Sequence, residues 1–181
     1  MANWSELAVS IHKDNIRAGW WLLDKDGKTI PRNIGELLCL VHSEVTEMHV
    51  GSFGWVADDH LPLRLMSHVE AADVAIRVCD ILGYYCGANL PEPTKPNVMI
   101  QNWDRSVLSM HSCISRAMEH FRKGFDERGC AELVALLIRV ERLCELRNWD
   151  LFTVIEEKRE YNRNRLDHKL SARSAKGGKA F

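Results

Sequence analysis

Two pairs of carboxylates, Glu44 with Glu47 and Glu70 with Asp73, are the residues whose type and spacing point most directly to chemistry. Residues three apart lie on the same side of a helix, so each pair aims both of its carboxylates in one direction. Two such helices packed together would bring all four acids to one place. An all-oxygen, acidic cluster open on one side suits Mg²⁺, with Mn²⁺ as a substitute, because hard cations take oxygen ligands and share their coordination with substrate phosphates. With one or two ions bound, a site of this kind activates water and holds the phosphate under attack.

The elements that must position these acids are two amphipathic helices. At about 100° per residue, Glu44 falls inside the stripe of Leu37, Leu40, Val41 and Met48, and Glu47 lies beside Leu40. A carboxylate at the edge of an apolar face needs a partner or a metal. In the second helix Glu70, Asp73, Arg77 and Asp80 form one narrow polar line on an otherwise apolar cylinder, which predicts a mostly buried helix. Two plainer readings compete. Acids on amphipathic helices commonly face water, and Ser67-x-x-Glu70 has the spacing of a capping box that would use Glu70 only to start the helix.

With 181 residues and a 46% hydrophobic composition, the chain suits one domain, or two small half-domains sharing a core, that folds without disulfides. A formal net charge of −1 gives no global field for nucleic acid, and no membrane partner is expected because no apolar run approaches a spanning length. The six cysteines form no Cys-x-x-Cys pair and read as reduced, structural residues of a cytoplasmic protein.

In chain order, a helix is expected from about Asn3 to Ala18, stopped by Gly19 and followed by Trp20 and Trp21. A polar turn, DKDGKTIPRN, leads to Asn33, which caps the first acidic helix with Glu36 as its box partner. The loop GSFGWVADDHLP precedes the second acidic helix, which fades at Gly83 to Gly87, and PEPTKPN reads as a linker. The remainder is helical in period to about Arg165, with a break at Asn148 to Asp150, before the basic end SARSAKGGKAF.

The part after the linker repeats the part before it. His42-Ser43 aligns with His111-Ser112, and EAADVAIRV from Glu70 aligns with ELVALLIRV from Glu132. In this register Glu44 becomes Cys113, Glu47 becomes Arg116 and Asp73 becomes Ala135. The copy keeps its helices and loses its acids, which predicts a fused pseudo-dimer with one metal site.

Together these motifs resemble the all-alpha nucleoside triphosphate pyrophosphohydrolases of the MazG-like superfamily, whose signature is Glu-x-x-Glu, a spacer and Glu-x-x-Asp. The wider match is to the small members often carried by bacteriophages. Those have a His in the first helix, a Gly-Trp-Trp step and a His-Ser-Glu start to the acid helix, here His12, Gly19-Trp20-Trp21 and His42-Ser43-Glu44. Their Lys, Tyr-Asn, Arg and His-Gly-Gly-Lys ending corresponds to Lys158, Tyr161, Asn162, Arg165, His168 and Lys179, with LSARSAK interrupting the last part. In simple members this segment directly follows the acidic helices, whereas here it follows the repeat.

The resemblance implies an all-α helical bundle, a fused tandem repeat with a degenerate second copy. The divisions are a catalytic half over 1–90, a linker over 91–105, a second half over 106–170 and a tail over 171–181. It implies Mg²⁺-dependent cleavage of a nucleoside triphosphate to monophosphate and pyrophosphate, with Glu44, Glu47, Glu70 and Asp73 as ligands and Glu44 or Glu47 orienting water. Lys158, Asn162 and Arg165, with Tyr161 beside them, would meet phosphate or sugar, unless they form a solvated basic helix end. His12, Asn15, Trp20 and Trp21 would read the base, with one tryptophan belonging to the core. Arg77 would contact phosphate or balance the acids, and Trp55 would cover the pocket or merely pack. A homodimer is a reasonable assembly for such a chain. A regulatory module that binds nucleotide without turnover is the alternative; a di-iron bundle is disfavoured because neither acidic helix has Glu-x-x-His.

Overall fold

A computed structural model of the chain describes residues 4–94 and 102–165. His168, Lys179, the basic tail and the middle of the linker lie outside the described residues. The described residues form an all-α bundle of six helices without strands: α1 (Trp4–Arg17), α2 (Ile34–Gly51), α3 (Met66–Tyr85), α4 (Trp103–Phe121), α5 (Asp126–Arg147) and α6 (Leu151–Asn164). None of these helices is long and apolar enough to cross a membrane. All six cysteines are free, and four of them are buried.

The helix boundaries follow local chemistry. Asn33 accepts the Gly35 N–H at 2.9 Å, and its amide donates to Glu36 at 3.2 Å, so the two side chains close the start of α2 together. Asn102 and Asp150 cap α4 and α6 by accepting from Arg105 and Thr153. Asn148 ends α5 at φ 55°, a left-handed conformation that asparagine tolerates better than most residues. The Ser67-x-x-Glu70 capping box does not form. Helix α3 already begins at Met66, Leu65 stands at the cap without a side-chain bond, and Ser67 is buried inside the first turn. Glu70 is therefore not used to start the helix.

Helix α3 is the axis of the bundle, packed against α1, α2, α5 and α6. Its mostly apolar circumference explains this position: Val69, Ala72, Val74, Val78, Cys79 and Leu82 are fully enclosed. Gly83 lets α1 approach closely, since a Cβ there would stand 2.4 Å from the Ala8 carbonyl oxygen. Helices α4 and α5 pair with each other, while α2 touches α4 and α3 touches α5. Where α2 meets α4, His42 and His111 stack at 5.0 Å with their Nδ1 atoms 2.7 Å apart, so one nitrogen carries the proton and the other accepts it.

Candidate active site

Helices α2 and α3 bring Glu44, Glu47 and Glu70 together, with one carboxylate oxygen from each within 4.8 Å of the others. Glu44 and Glu70 are buried at 6% and 7% exposure, whereas Glu47 stands at the open side. Burial, followed by the neighbouring Glu44, Asp73 and Glu47 carboxylates, pushes the Glu70 carboxyl up to about 9. The same two causes, burial and then Glu44, hold Glu47 above the ordinary carboxylate range. Glu70 Oε2 is buried without a hydrogen-bond partner. An orphaned oxygen inside a cluster of acids is costly unless a cation joins it, and a donor set of carboxylate oxygens alone fits a hard divalent ion such as Mg²⁺.

The fourth acid behaves differently from the expectation that all four converge. Asp73 is held by Lys158, whose Nζ lies 2.7 Å from Oδ2. Burial raises the Asp73 carboxyl, Lys158 opposes it, and the result is pushed up to about 6. Lys158 is itself only 3% exposed, which removes it from the solvated helix end that its sequence neighbourhood also allowed. Arg77, one turn beyond Asp73, donates from Nε to Glu44. Two of the acids thus carry an internal cation, and Glu47 and Glu70 complete the cluster.

These groups line one cavity of about 460 Å³. Glu44, Glu47, Glu70 and Asp73 line it together with Arg77, Lys158, Asn162 and Arg165, two of the cations lying directly on the acids. Beyond them, Leu37, Leu40, Ile76 and Ile81 give an apolar stretch that Asn15, Trp20, Arg32 and Asp80 complete. Helix α6 reaches this cavity because it packs on α3 and is pinned from two sides. Arg64 makes a two-pronged bond to Glu157 at 2.8 and 2.6 Å, and Arg159 reaches Ser10 and Asp14 of α1.

The two adjacent tryptophans have separate fates. Trp20 lines the cavity, while Trp21 is 2% exposed and donates from Nε1 to both Asp80 oxygens at 3.0 Å. His12 is also buried behind the wall, with Nδ1 2.8 Å from Asp80 Oδ1. His12 and Trp21 both hold Asp80, and Trp21 also carries the Arg32 guanidinium 5.4 Å from its ring centroid. Tyr161 does not line the cavity either; its ring packs 5.1 Å from His60, with the Arg165 guanidinium 5.4 Å from its centroid. Trp55 neither covers the cavity nor packs, being 92% exposed.

Arg32, Ser43 and His60 also line the cavity although none is among the expected site residues, and so does Asp80, expected only as part of a polar line. Ser43 had a local signal as the neighbour of Glu44. His60 had none, because its loop is positioned by Asp58, which accepts the His60 and Leu61 N–H groups.

At the aligned positions of α4 and α5 one acid, Glu132, remains and is ion-paired, while Cys113, Arg116 and Ala135 stand for the other three. Arg116 lies 2.9 Å from the buried Glu132 and 3.3 Å from Cys113 Sγ, while Arg139 donates to the Ala135 carbonyl at 2.7 Å. Comparison with protein-family models, with curated proteins and with solved structures finds no match for the chain.

Proposed function

We propose that the protein is a divalent-cation-dependent nucleoside triphosphate pyrophosphohydrolase, built as a MazG-like pseudo-dimer in which α4 and α5 are the degenerate copy of α2 and α3. The observation that carries this reading is the cavity that Glu44, Glu47 and Glu70 line together with Lys158, Arg77 and Arg165. Acids for a metal, cations for phosphate and an apolar end flanked by Trp20 are the three surfaces a nucleoside triphosphate requires. The contact of His42 with His111, aligned residues from the two helix pairs, supports the duplication.

Glu44, Glu47 and Glu70 would hold the ion. Mg²⁺ bound there supplies Lewis-acid polarisation of phosphate oxygens and a lowered pKa for water. Lys158 and Arg165 orient the phosphate chain and balance its charge, Arg165 through a planar fork suited to phosphate oxygens. Arg77 holds Glu44 in place and lies within reach of the same chain. Of the two candidate bases, Glu44 is tied to Arg77, and Glu47, at the open side, takes the proton of the attacking water. The water oxygen bonds to the α-phosphorus, the bridging bond to the β-phosphate breaks, and pyrophosphate leaves with the electron pair.

Product analysis tests this reaction: each common ribo- and deoxyribonucleoside triphosphate is incubated with Mg²⁺ or with chelator, beside Glu70→Gln. Metal-dependent monophosphate and pyrophosphate, lost in the variant, is the expected result. Release of single phosphate rejects α,β-cleavage. One observation favours a second reading, a nucleotide-binding regulatory module: Lys158 and Arg77 already neutralise Asp73 and Glu44. Nucleotide binding without turnover would select it.

A further inference from the structure

The nucleotide reading leaves open which base the cavity takes, and Asp80 bears on that choice. Asp80 follows Asp73 by two turns on α3, about 10 Å along the helix axis. It therefore lines the cavity well away from the metal-binding acids, in the neighbourhood of Trp20, Asn15 and Ile81. A carboxylate is an acceptor only, with roughly four lone-pair positions on its two oxygens. Oδ1 accepts from His12 and Trp21, while Oδ2 receives the second, shared contact from Trp21. Capacity remains on a group that is only 6% exposed and lines the cavity.

The surrounding bonds fix the carboxylate rather than merely satisfy it. Trp21 is immobilised by stacking on Tyr84 at 4.6 Å and meets His12 edge-on at 5.0 Å, so the donors that hold Asp80 cannot drift. A rigid, nearly buried acceptor discriminates, because a ligand that presents another acceptor leaves both groups desolvated and unpaired. Asn15 offers a donor and an acceptor, and Arg32 offers donors alone.

We infer that the cavity selects nucleotides whose base carries an exocyclic amino group, with Asp80 accepting from that group. This rests on the cavity being a nucleotide site, but not on the cleavage reaction. Cytosine and adenine present that amino group on the edge where uracil and thymine present a carbonyl oxygen; guanine carries its amino group at C2, beside N1–H, and a carbonyl oxygen in place of the adenine amino group. An asparagine at position 80 keeps one oxygen for Trp21 and His12 and can turn its NH₂ to the cavity, reversing the sign of the recognition.

The test measures kcat/KM for dCTP, dATP, dGTP, dUTP and dTTP, and calorimetric binding of the corresponding monophosphates, on the wild type, Asp80→Asn and Asp80→Glu. The wild type is expected to favour the best amino-bearing base over uracil and thymine by about tenfold or more, the size of one hydrogen bond to a charged group. D80N is expected to shrink or invert that ratio, and D80E to retain its direction. Equal use of amino and carbonyl bases by the wild type overturns the inference, as does a parallel fall for every base in D80N, which would leave Asp80 only a support for Trp21 and His12. If D80N does not fold, the wild-type ranking and D80E still decide. Ranked binding without turnover keeps the inference and removes the proposed reaction; turnover without ranking does the reverse. Absence of any nucleotide binding overturns it.

Discussion

The two helix pairs handle the same difficulty, a buried glutamate, in opposite ways. In α4 and α5, Glu132 is 4% exposed and meets the Arg116 guanidinium at 2.9 Å. In α2 and α3, the aligned Glu70 is equally buried but faces Glu44 and Glu47, and its carboxyl is pushed up to about 9 by burial and those neighbours. A buried carboxylate is tolerable only when it is paired, protonated or joined to a metal. The second pair carries its cation within the chain. The first pair is left with a surplus of acid, which protonation of Glu70 relieves and which the proposed metal ion would relieve in its place.

The largest effect should come from removing the two glutamates in turn. Glu70→Gln is expected to lower kcat by about 10² to 10³, the loss typical of one preorganised electrostatic group. Glu132→Gln should leave turnover nearly unchanged and lower stability instead, by about 1–3 kcal/mol, because Arg116 loses its buried partner while remaining partly open to solvent. Steady-state rates beside denaturant melts separate the two. Equal loss of activity in both variants would mean that the second pair is part of the reaction centre.

The comparison can also be broken by rebuilding. Cys113→Glu with Arg116→Glu restores the acids of the first pair around Glu132 and removes its cation. Without metal, the double variant is expected to lose about 3 kcal/mol, the scale of a buried charge deprived of its partner. With Mn²⁺, electron paramagnetic resonance titration should count more bound ion per chain than in the wild type. An unchanged metal count would show that the two pairs differ in more than the aligned side chains.

Much of this contrast is visible in the sequence, and the reasons differ from residue to residue. Glu44 could be read because helical period alone put it inside an apolar stripe, and the loss of acids in the copy could be read from the shared His-Ser and Ile-Arg-Val segments. Helix ends at Gly19, Asn33 and Asn148 to Asp150 were legible because their cap chemistry is local. Pairing of Lys158 with Asp73 was not, since it depends on how α6 docks on α3. That one of the two adjacent tryptophans belongs to the core was legible, but that it is Trp21 was not, since its partners Asp80 and Tyr84 come from α3. Ser67 had the right spacing for a capping box, but the chain entered α3 one residue earlier, with Met66 N–H bonded to the Val56 carbonyl at 2.8 Å.

A direct readout of the acid surplus is stabilisation by metal. At 100 times its dissociation constant, Mg²⁺ that binds only the folded chain adds about 2.7 kcal/mol, with a matching rise in melting temperature. The rise is expected in the wild type and in Glu132→Gln, and its absence from Glu70→Gln ties it to the first pair. An equal rise in all three would mean that the ion binds elsewhere.

The smallest effect concerns why α6 serves the first pair rather than its own neighbour α5. Asp14 of α1 is bonded by Arg159 at 2.7 Å and by Arg163 at 3.1 Å. Burial alone would raise the Asp14 carboxyl, but hydrogen bonds and charges from Arg159 and Arg163 outweigh it and hold the group below its ordinary value. Its charged form therefore favours the folded state above the unfolded-chain pKa, and this contribution disappears as pH falls through the lower, folded value. Because Asp14 is partly open to solvent, the contribution is set at about 1 kcal/mol. Asp14→Asn should lower stability by that amount at neutral pH and differ progressively less from the wild type as the solution is acidified. A variant that weakens the chain equally at every pH would show that α6 is held by packing on α3, with the arginines incidental to its alignment over the acids.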